Sequence, residues 1–436
     1  MLQTQTQPRP HTQLASAPRH HGHLISGSLP ELREDPLALL ARVARENGDV
    51  ARVRLMMDVH FINHPALVMR VMRENHQNYR KGALYDRLQG MLGDGLFTLE
   101  GEFWKKRRRL VQPAFHRQRI AALEEPVARR TDALIERWSR AAAGGTPVDV
   151  HADMTQLTLA VAGDALFGSD LLGEASEVGR AMAELLEVLD RRVSSIWVAP
   201  EWMPTPDNLR ARAGKAVMDR VVRRVIEQRR SGPPRADLLG MLMEMRDADT
   251  GEGMTDEELR GEVLTMMVAG HETTANALTW TLWLLGQHPG TDTAGPCLPA
   301  VINESMRLYP PAWLIAREAI SDDALGGFHV PAGSTVLASP WVLHRDPRFW
   351  GPDPEAFRPE RFLGKEPVAG TFIPFAAGPR ACVGNHFALL ELHVVLGRIL
   401  ERFELRPGTG EELRPLPRVT LRPDRPVQMY LRLRRS

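Results

Sequence analysis

The chain is 436 residues long, 43% hydrophobic and 25% charged, with 55 Lys and Arg against 54 Asp and Glu. So even a balance excludes a global field that would recruit nucleic acid or a membrane surface, and the composition is that of an ordinary globular protein. Two cysteines, Cys297 and Cys382, exclude a disulfide framework and suit a reducing cytoplasm, so Cys297, in a Gly/Pro segment, reads as a free thiol.

No apolar run approaches the roughly 20 residues that span a bilayer, and the first 22 residues lack the pattern of a signal peptide. Residues 1–28, rich in Gln, Thr, Pro and His, are expected to form a disordered arm, in which His20, His21 and His23 could bind metal, with a solvated tail the preferred reading. From Pro36 to Asn47 the apolar positions Leu37, Leu39, Leu40 and Val43 recur at helical spacing, and Gly48 is placed to end the helix. Val50 to Asn63 alternates like strands, and residues 65–77 read as another amphipathic helix. The stretch from Gly82 to Phe97 has no firm period.

A helix is predicted from Gly101, carrying five consecutive cations, Lys105 to Arg109. Five like charges on a helix read readily as a solvated face. Trp104 and Arg108, however, share one side, where an indole N–H and a guanidinium could grip a single anionic group. Ile120 to Arg230 is mostly helical, broken at Gly144–Pro147 and again between Ala199 and Pro206, and 231–234 is a linker.

Thr255 and Glu258 form a capping box that opens a helix running to about Gln287, far longer than the usual three turns. Midway along it Ala269-Gly270-His271-Glu272-Thr273-Thr274 sets a carboxylate and hydroxyls among apolar neighbours. Burying such groups is costly unless they are hydrogen-bonded or have a task such as proton delivery; a threonine bonded back to the preceding turn is the plainer alternative. The helix Ala300–Leu308 holds Glu304 and Arg307 on one face. After it the prolines at 310 and 311 force an extended run through Trp313, Leu314, Ile315 and Arg317. Strands are predicted at Gly327–Val330 and Ser334–Ser339, a Pro-stiffened turn presents Arg361, and Arg418–Pro423 with Val427–Leu433 reads as a closing hairpin.

The segment Phe375-Ala376-Ala377-Gly378-Pro379-Arg380-Ala381-Cys382-Val383-Gly384 precedes an apolar helical run from Phe387 to Phe403. A thiolate at Cys382 would lie near a helix N-terminus, where the dipole and free N–H groups favour charged sulfur. Gly378 and Gly384 allow close approach of the backbone to a flat cofactor, and Arg380 could meet an anionic edge of it. A buried structural cysteine in a turn is the competing reading.

The pattern F-x-x-G-x-R-x-C-x-G, filled by Phe375, Gly378, Arg380, Cys382 and Gly384, resembles the haem-ligand loop of cytochromes P450. Four motifs resemble that family in its order, over residues from about 30 to the C-terminus. They are W-x-x-x-R at Trp104 and Arg108, the oxygen-activation motif around Glu272 and Thr273, E-x-x-R at Glu304 and Arg307, and the cysteine loop.

The resemblance implies a mainly α fold with a small β-rich region, as one haem domain over 29–436. It implies haem b with Cys382 as the thiolate ligand of its iron, and Trp104, Arg108, Arg317 and Arg380 at the propionates. Glu272 and Thr273 would deliver protons, and Glu304, Arg307 and Arg361 would form a buried triad fixing the cysteine loop. Ala269, Leu314 and Ile315 would line the substrate pocket, and the stretches 82–97 and 185–212 would roof it.

The implied reaction is monooxygenation of an apolar small molecule (a terpene, fatty acid, polyketide or similar) by O2. Electrons would come from a ferredoxin or flavodoxin type carrier and its NAD(P)H reductase. The cations other than Arg108 are weighed as a docking face for that carrier. A cytoplasmic monomer without a transmembrane segment is expected. A peroxide-driven haem-thiolate enzyme and a non-catalytic haem-binding or sensor protein are the rival readings. One departure stands out, because Thr274 and Glu304 are only 30 residues apart, where the family has two further helices and a loop.

Overall fold

The computed structural model describes residues 14–434 apart from 24, 56, 83–84, 87, 90–92, 167–174, 195–198, 201, 234–236, 248 and 409–411. Its contacts group the chain into two compact units. The first comprises Met1–Leu84, Leu314–Pro354 and Pro367–Ala381, and the second Tyr85–Trp313, Glu355–Glu366 and Cys382–Ser436.

The first unit is built on a five-stranded sheet in the order Val50–Arg54, Asp58–Ile62, Thr335–Ala338, Ile315–Ala319, Tyr79–Arg80. Its single parallel pair joins Val59–Ile62 to Thr335–Ala338, and the other three are antiparallel. Alternation along these strands buries Val50, Ile62, Ile315, Val336 and Ala338 against Val68, Val71 and Met72. The helix Pro36–Asn47 starts where the Asp35 carboxylate accepts from the Ala38 N–H at 2.9 Å, and it ends at Gly48, whose φ of 80° suits glycine. A buried carboxylate, Asp323, gathers the Tyr79 hydroxyl at 2.7 Å, Arg70 Nη2 at 2.5 Å and Asn75 Nδ2 at 3.0 Å.

The disordered arm expected over 1–28 is corrected over its described part, since residues 1–13 lie outside the described residues. Ala15–Ser16 pairs in parallel with Phe328–His329, and Arg52 N–H donates to Pro18 O at 2.7 Å. His20, expected in solvent, is 5% exposed, with Nδ1 3.3 Å from Asn47 Oδ1. A polar sequence carries no sign of such pairing, because an open sheet edge supplies the hydrogen bonds through backbone alone.

The second unit is mainly helical. Its long helix, Asp256–Gln287, opens on the capping box of Thr255 and Glu258 and is buried along most of its length. The helices Val150–Val161, Cys297–Leu308 and Asn385–Arg402 pack against it. The helices Ala175–Ser194 and Pro206–Ser231 form an antiparallel pair, and Asn208 Nδ2 ties down their connection through the carbonyls of Pro200 and Met203 at 2.7 and 2.8 Å. Parts of both roof stretches, 83–84, 87, 90–92, 195–198 and 201, lie outside the described residues.

The closing hairpin is also corrected. Leu421–Pro423 pairs with Pro415–Pro417, while Gln428–Leu433 lies between Phe403–Pro407 and Val148–Asp149. Both edges of the last strand are thereby taken over part of its length. Among the described residues no helix is long and apolar enough to cross a membrane.

Candidate active site

Cys382 lies two residues before Gly384, the N-cap of the helix Asn385–Arg402. The Gly384 N–H donates to the sulfur, and a Cβ at this position would stand 4.0 Å from it and 3.7 Å from the Phe115 ring. Burial pushes the Cys382 thiol up, against the Gly384 N–H and the Arg108 guanidinium, which pull it down. Protein surrounds the thiol closely enough for burial to dominate its charge balance, yet Cys382 as a residue remains exposed. The first property governs its electrostatics and the second its capacity to take a ligand. Such a thiol loses its proton readily only when another cation takes the proton's place, which is the behaviour of a metal ligand.

Trp104 is buried in the helix Gly101–Val111, and Arg108, four residues on, is half-buried with Nε donating to Gln112 Oε1 at 3.2 Å. Burial lowers the Arg108 pKa, and the neighbouring Cys382 opposes that shift. The other four cations are neutralised inside their own unit. Lys105 pairs with Glu102 at 2.7 Å and Lys106 with Glu252 at 3.0 Å. Arg107 joins Glu258 at 2.8 Å and Glu262 at 2.9 Å, and Arg109 reaches Asp247 at 3.1 Å and Asp249 at 3.0 Å. Lys105, Lys106 and Arg109 are thus paired with carboxylates while their side chains keep solvent exposure. Apart from Glu102, three residues before Lys105, the partners lie 138 to 155 residues downstream, out of reach of helical spacing.

In the long helix Val268, Ala269, Gly270, Glu272 and Thr273 keep accessible surface between turns that are otherwise buried. Thr273 Oγ1 donates to Ala269 O at 2.8 Å and Thr274 Oγ1 to Gly270 O at 3.0 Å, so both hydroxyls bond back to their own helix. Only Thr273 sits on the open side, since Thr274 is buried. His271 is buried the other way, its Nδ1 2.7 Å from Met267 O, and burial lowers its pKa.

Glu304 and Arg307 are fully buried. The carboxylate accepts from Arg307 Nε at 2.7 Å and Nη2 at 2.8 Å, and from the Arg358 backbone N–H at 2.8 Å. Arg361 Nε stands 3.6 Å from the same carboxylate. The cluster thus holds the turn 358–361 to the helix Cys297–Leu308.

The remaining candidates belong to the first unit. Gly378 has a φ of 73°, and a Cβ there would fall 1.9 Å from Met72 O, so no other residue fits. Phe375 and Arg380 are half-buried on either side of it. Arg317 is 6% exposed, donates from Nη1 to Ala316 O at 2.7 Å, and has no carboxylate within ion-pair distance among the described residues. A buried cation so placed calls for an anion. Ile315 is buried in the apolar core cluster of the first unit, while Leu314 keeps partial exposure.

Sequence reasoning missed Asn276 and His151, whose side chains meet at 3.2 Å. It also missed Glu391, a buried carboxyl with Oε1 lacking a hydrogen-bond partner, which burial raises well above the usual carboxylate range. A lone carboxylate between Leu390 and Leu392 was the available signal.

The family model described as Cytochrome P450 matches residues 18–294 and 295–430. Cyclooctat-9-en-7-ol 5-monooxygenase of Streptomyces melanosporofaciens is 36% identical over 417 residues, covering 89% of this chain and 89% of its own. Cyclooctatin synthase of the same organism is 33% identical over 440 residues, covering 93% of this chain and 95% of its own. A bifunctional cytochrome P450/NADPH–P450 reductase of Bacillus subtilis is 31% identical across 93% of this chain but only 41% of its own length.

Proposed function

Because the chain belongs to the cytochrome P450 family of haem-iron monooxygenases, we propose that it inserts one oxygen atom of O2 into a C–H or C=C bond of a terpene-like substrate. The cofactor on this reading is haem b, and a separate ferredoxin or flavodoxin type carrier with its NAD(P)H reductase supplies electrons. The observation that supports the reading is Cys382, an exposed residue whose sulfur accepts from the Gly384 N–H near the Arg108 charge. The terpene class is supported by the name of the Streptomyces relative, a monooxygenase of cyclooctat-9-en-7-ol.

When bound, the haem supplies the iron that activates oxygen. The chain's own residues do the rest. Cys382 binds as thiolate, and the N–H at Gly384 stabilises the negative sulfur. Trp104, Arg108, Arg317 and Arg380 hold the carboxylates of the cofactor. Ala269 and Gly270 leave room beside the open turn. Thr273 holds a proton at Oγ1, which it can present by rotating away from Ala269 O, and Glu272 replenishes it.

The test is the spectrum of the reduced, carbon monoxide-bound protein. Wild type and Cys297→Ala should show the red-shifted band of thiolate ligation, and Cys382→Ala should lose it. Equal spectra for Cys382→Ala and wild type would end the reading. Turnover of a cyclic diterpene panel with NAD(P)H and carriers, compared with peroxide alone, then tests the reaction and its electron source.

A further inference from the structure

Residues 93–99, which include the described end of the first roof stretch, meet the long helix about two turns before its open turn at 268–273. A Cβ on Gly261 would fall 2.1 Å from Asp94 O, and a Cβ on Gly95 would fall 1.9 Å from Thr265 Oγ1 and 2.7 Å from Gly261 O. A backbone carbonyl cannot swing aside as the end of a long side chain can. Any larger residue at Gly261 must therefore push the segment away from the helix. Gly261, Thr265 and Ala269 follow at four-residue spacing and lie within about 80° of one another around the axis. The contact and the open turn thus share one side of the helix, about 12 Å apart along it.

The segment seated there is tied together internally. Gly95 N–H donates to Thr98 Oγ1 at 3.1 Å, and Thr98 Oγ1 donates to Gly93 O at 2.6 Å. The N–H groups of Thr98 and Leu99 donate to Gly95 O at 3.0 and 2.9 Å. A shift at Gly95 is therefore passed to the whole turn. Thr265 shows how close the approach is. Thr273, Thr274, Thr279 and Thr281 each donate to the carbonyl four residues back, whereas Thr265 Oγ1, buried against Gly95, has no hydrogen-bond partner. Next to Gly261, Arg260 Nε donates to Asp219 Oδ1 at 3.0 Å, which ties the helix Pro206–Ser231, where the second roof stretch ends, to the same turn.

We propose that Gly95 and Gly261 are positioning residues whose contact sets how far the roof segment stands from the long helix, and with it the room for substrate beside Ala269. The consequence falls on which substrate atom is presented, because neither glycine belongs to the open turn itself. This inference rests on the reading that residues 82–97 roof the substrate pocket, but the contact can be tested without turnover.

The experiment uses the haem-loaded full chain with Gly261→Ala and Gly95→Ala. The control is Gly179→Ala in the helix Ala175–Ser194, where a Cβ would meet nothing closer than 3.9 Å. Hydrogen exchange at the amides of Thr98 and Leu99 should quicken at least about tenfold in both seat variants and stay within about twofold of wild type in the control. Thr265→Ala removes the atom nearest a Cβ at position 95, so adding it to Gly95→Ala should restore part of the protection. Gly95→Ala serves if Gly261→Ala does not fold.

Room beside the open turn is read from the Soret shift on titration with imidazole and with 4-phenylimidazole. In Gly261→Ala the Kd for 4-phenylimidazole should rise at least about fivefold while that for imidazole stays within about twofold. The ratio of products from a cyclic diterpene should change in the same variant. Exchange unchanged in both seat variants, losses that simply add when Gly95→Ala and Thr265→Ala are combined, or faster exchange with both azole affinities unmoved each overturn the inference. If exchange and azole binding shift as stated but wild type forms no product, the monooxygenase reading fails and this one stands.

Discussion

At the scale of single residues, burial decides what an ionisable group can do, and His60 shows it outside the site. It lies in the strand Asp58–Ile62, 3% exposed, with neither ring nitrogen hydrogen-bonded. Burial, helped by Arg52, lowers its pKa to about 4. The unfolded chain therefore binds the proton first, and stability present above the ordinary histidine pKa is lost as pH falls from about 6.5 toward 4. The loss from this group approaches ~3 kcal/mol at the acid end. His60→Leu should remove that part of the acid sensitivity, seen as a smaller drop in unfolding midpoint between pH 7 and pH 5 than in wild type. A drop of equal size in both proteins would contradict the assignment. Cys382 obeys the same physics, since burial raises its pKa and makes the bare thiol a reluctant anion.

At the scale of elements, the long helix separates two adjacent threonines by about 100° of rotation, so one faces the open turn and its neighbour the protein. Thr273 is the accessible one, and Thr274 is buried with its hydroxyl bonded to Gly270 O. On the proposed mechanism Thr273→Ala should keep the haem spectrum and consume NAD(P)H, while product per NAD(P)H falls at least about tenfold and peroxide rises. Thr274→Ala should stay within about twofold of wild type and show a small loss of stability. Uncoupling confined to Thr274→Ala would reverse the roles, and tight coupling in both would remove the hydroxyl from the mechanism. The helix Gly101–Val111 makes the complementary point. Its cations look alike in the sequence, yet Arg107 is buried between Glu258 and Glu262 while Lys105 meets Glu102 in solvent. Only the first pairing is expensive to break.

For the molecule as a whole, the unusual feature is the nine-residue connection, 288–296, between the helices Asp256–Gln287 and Cys297–Leu308. The family match divides within it, after residue 294. Gly290 and Gly295 have open space where a Cβ would be, and Ala294, Gly295 and Pro296 are exposed. Doubling a flexible loop costs about 0.6 kcal/mol, so nine Gly/Ser residues inserted after Gly295 should barely move the unfolding midpoint or the carbon monoxide band. A collapse of either would mean that the short connection is itself a structural constraint. The sequence by itself determined whatever depends on near neighbours: the capping box at Thr255, the glycines flanking Cys382, the E-x-x-R pair, and the order of motifs that identified the family. Tertiary structure alone decided that His20 is buried, that Gln428–Leu433 pairs with Phe403–Pro407, that Ile315 joins the core of the sheet, and that His151 and Thr420 meet at Asn276. The reason is one of range. Caps and helix faces are fixed within a few residues by backbone geometry, whereas His151 and Thr420 stand 125 and 144 residues from Asn276, and only packing can bring them to the same amide.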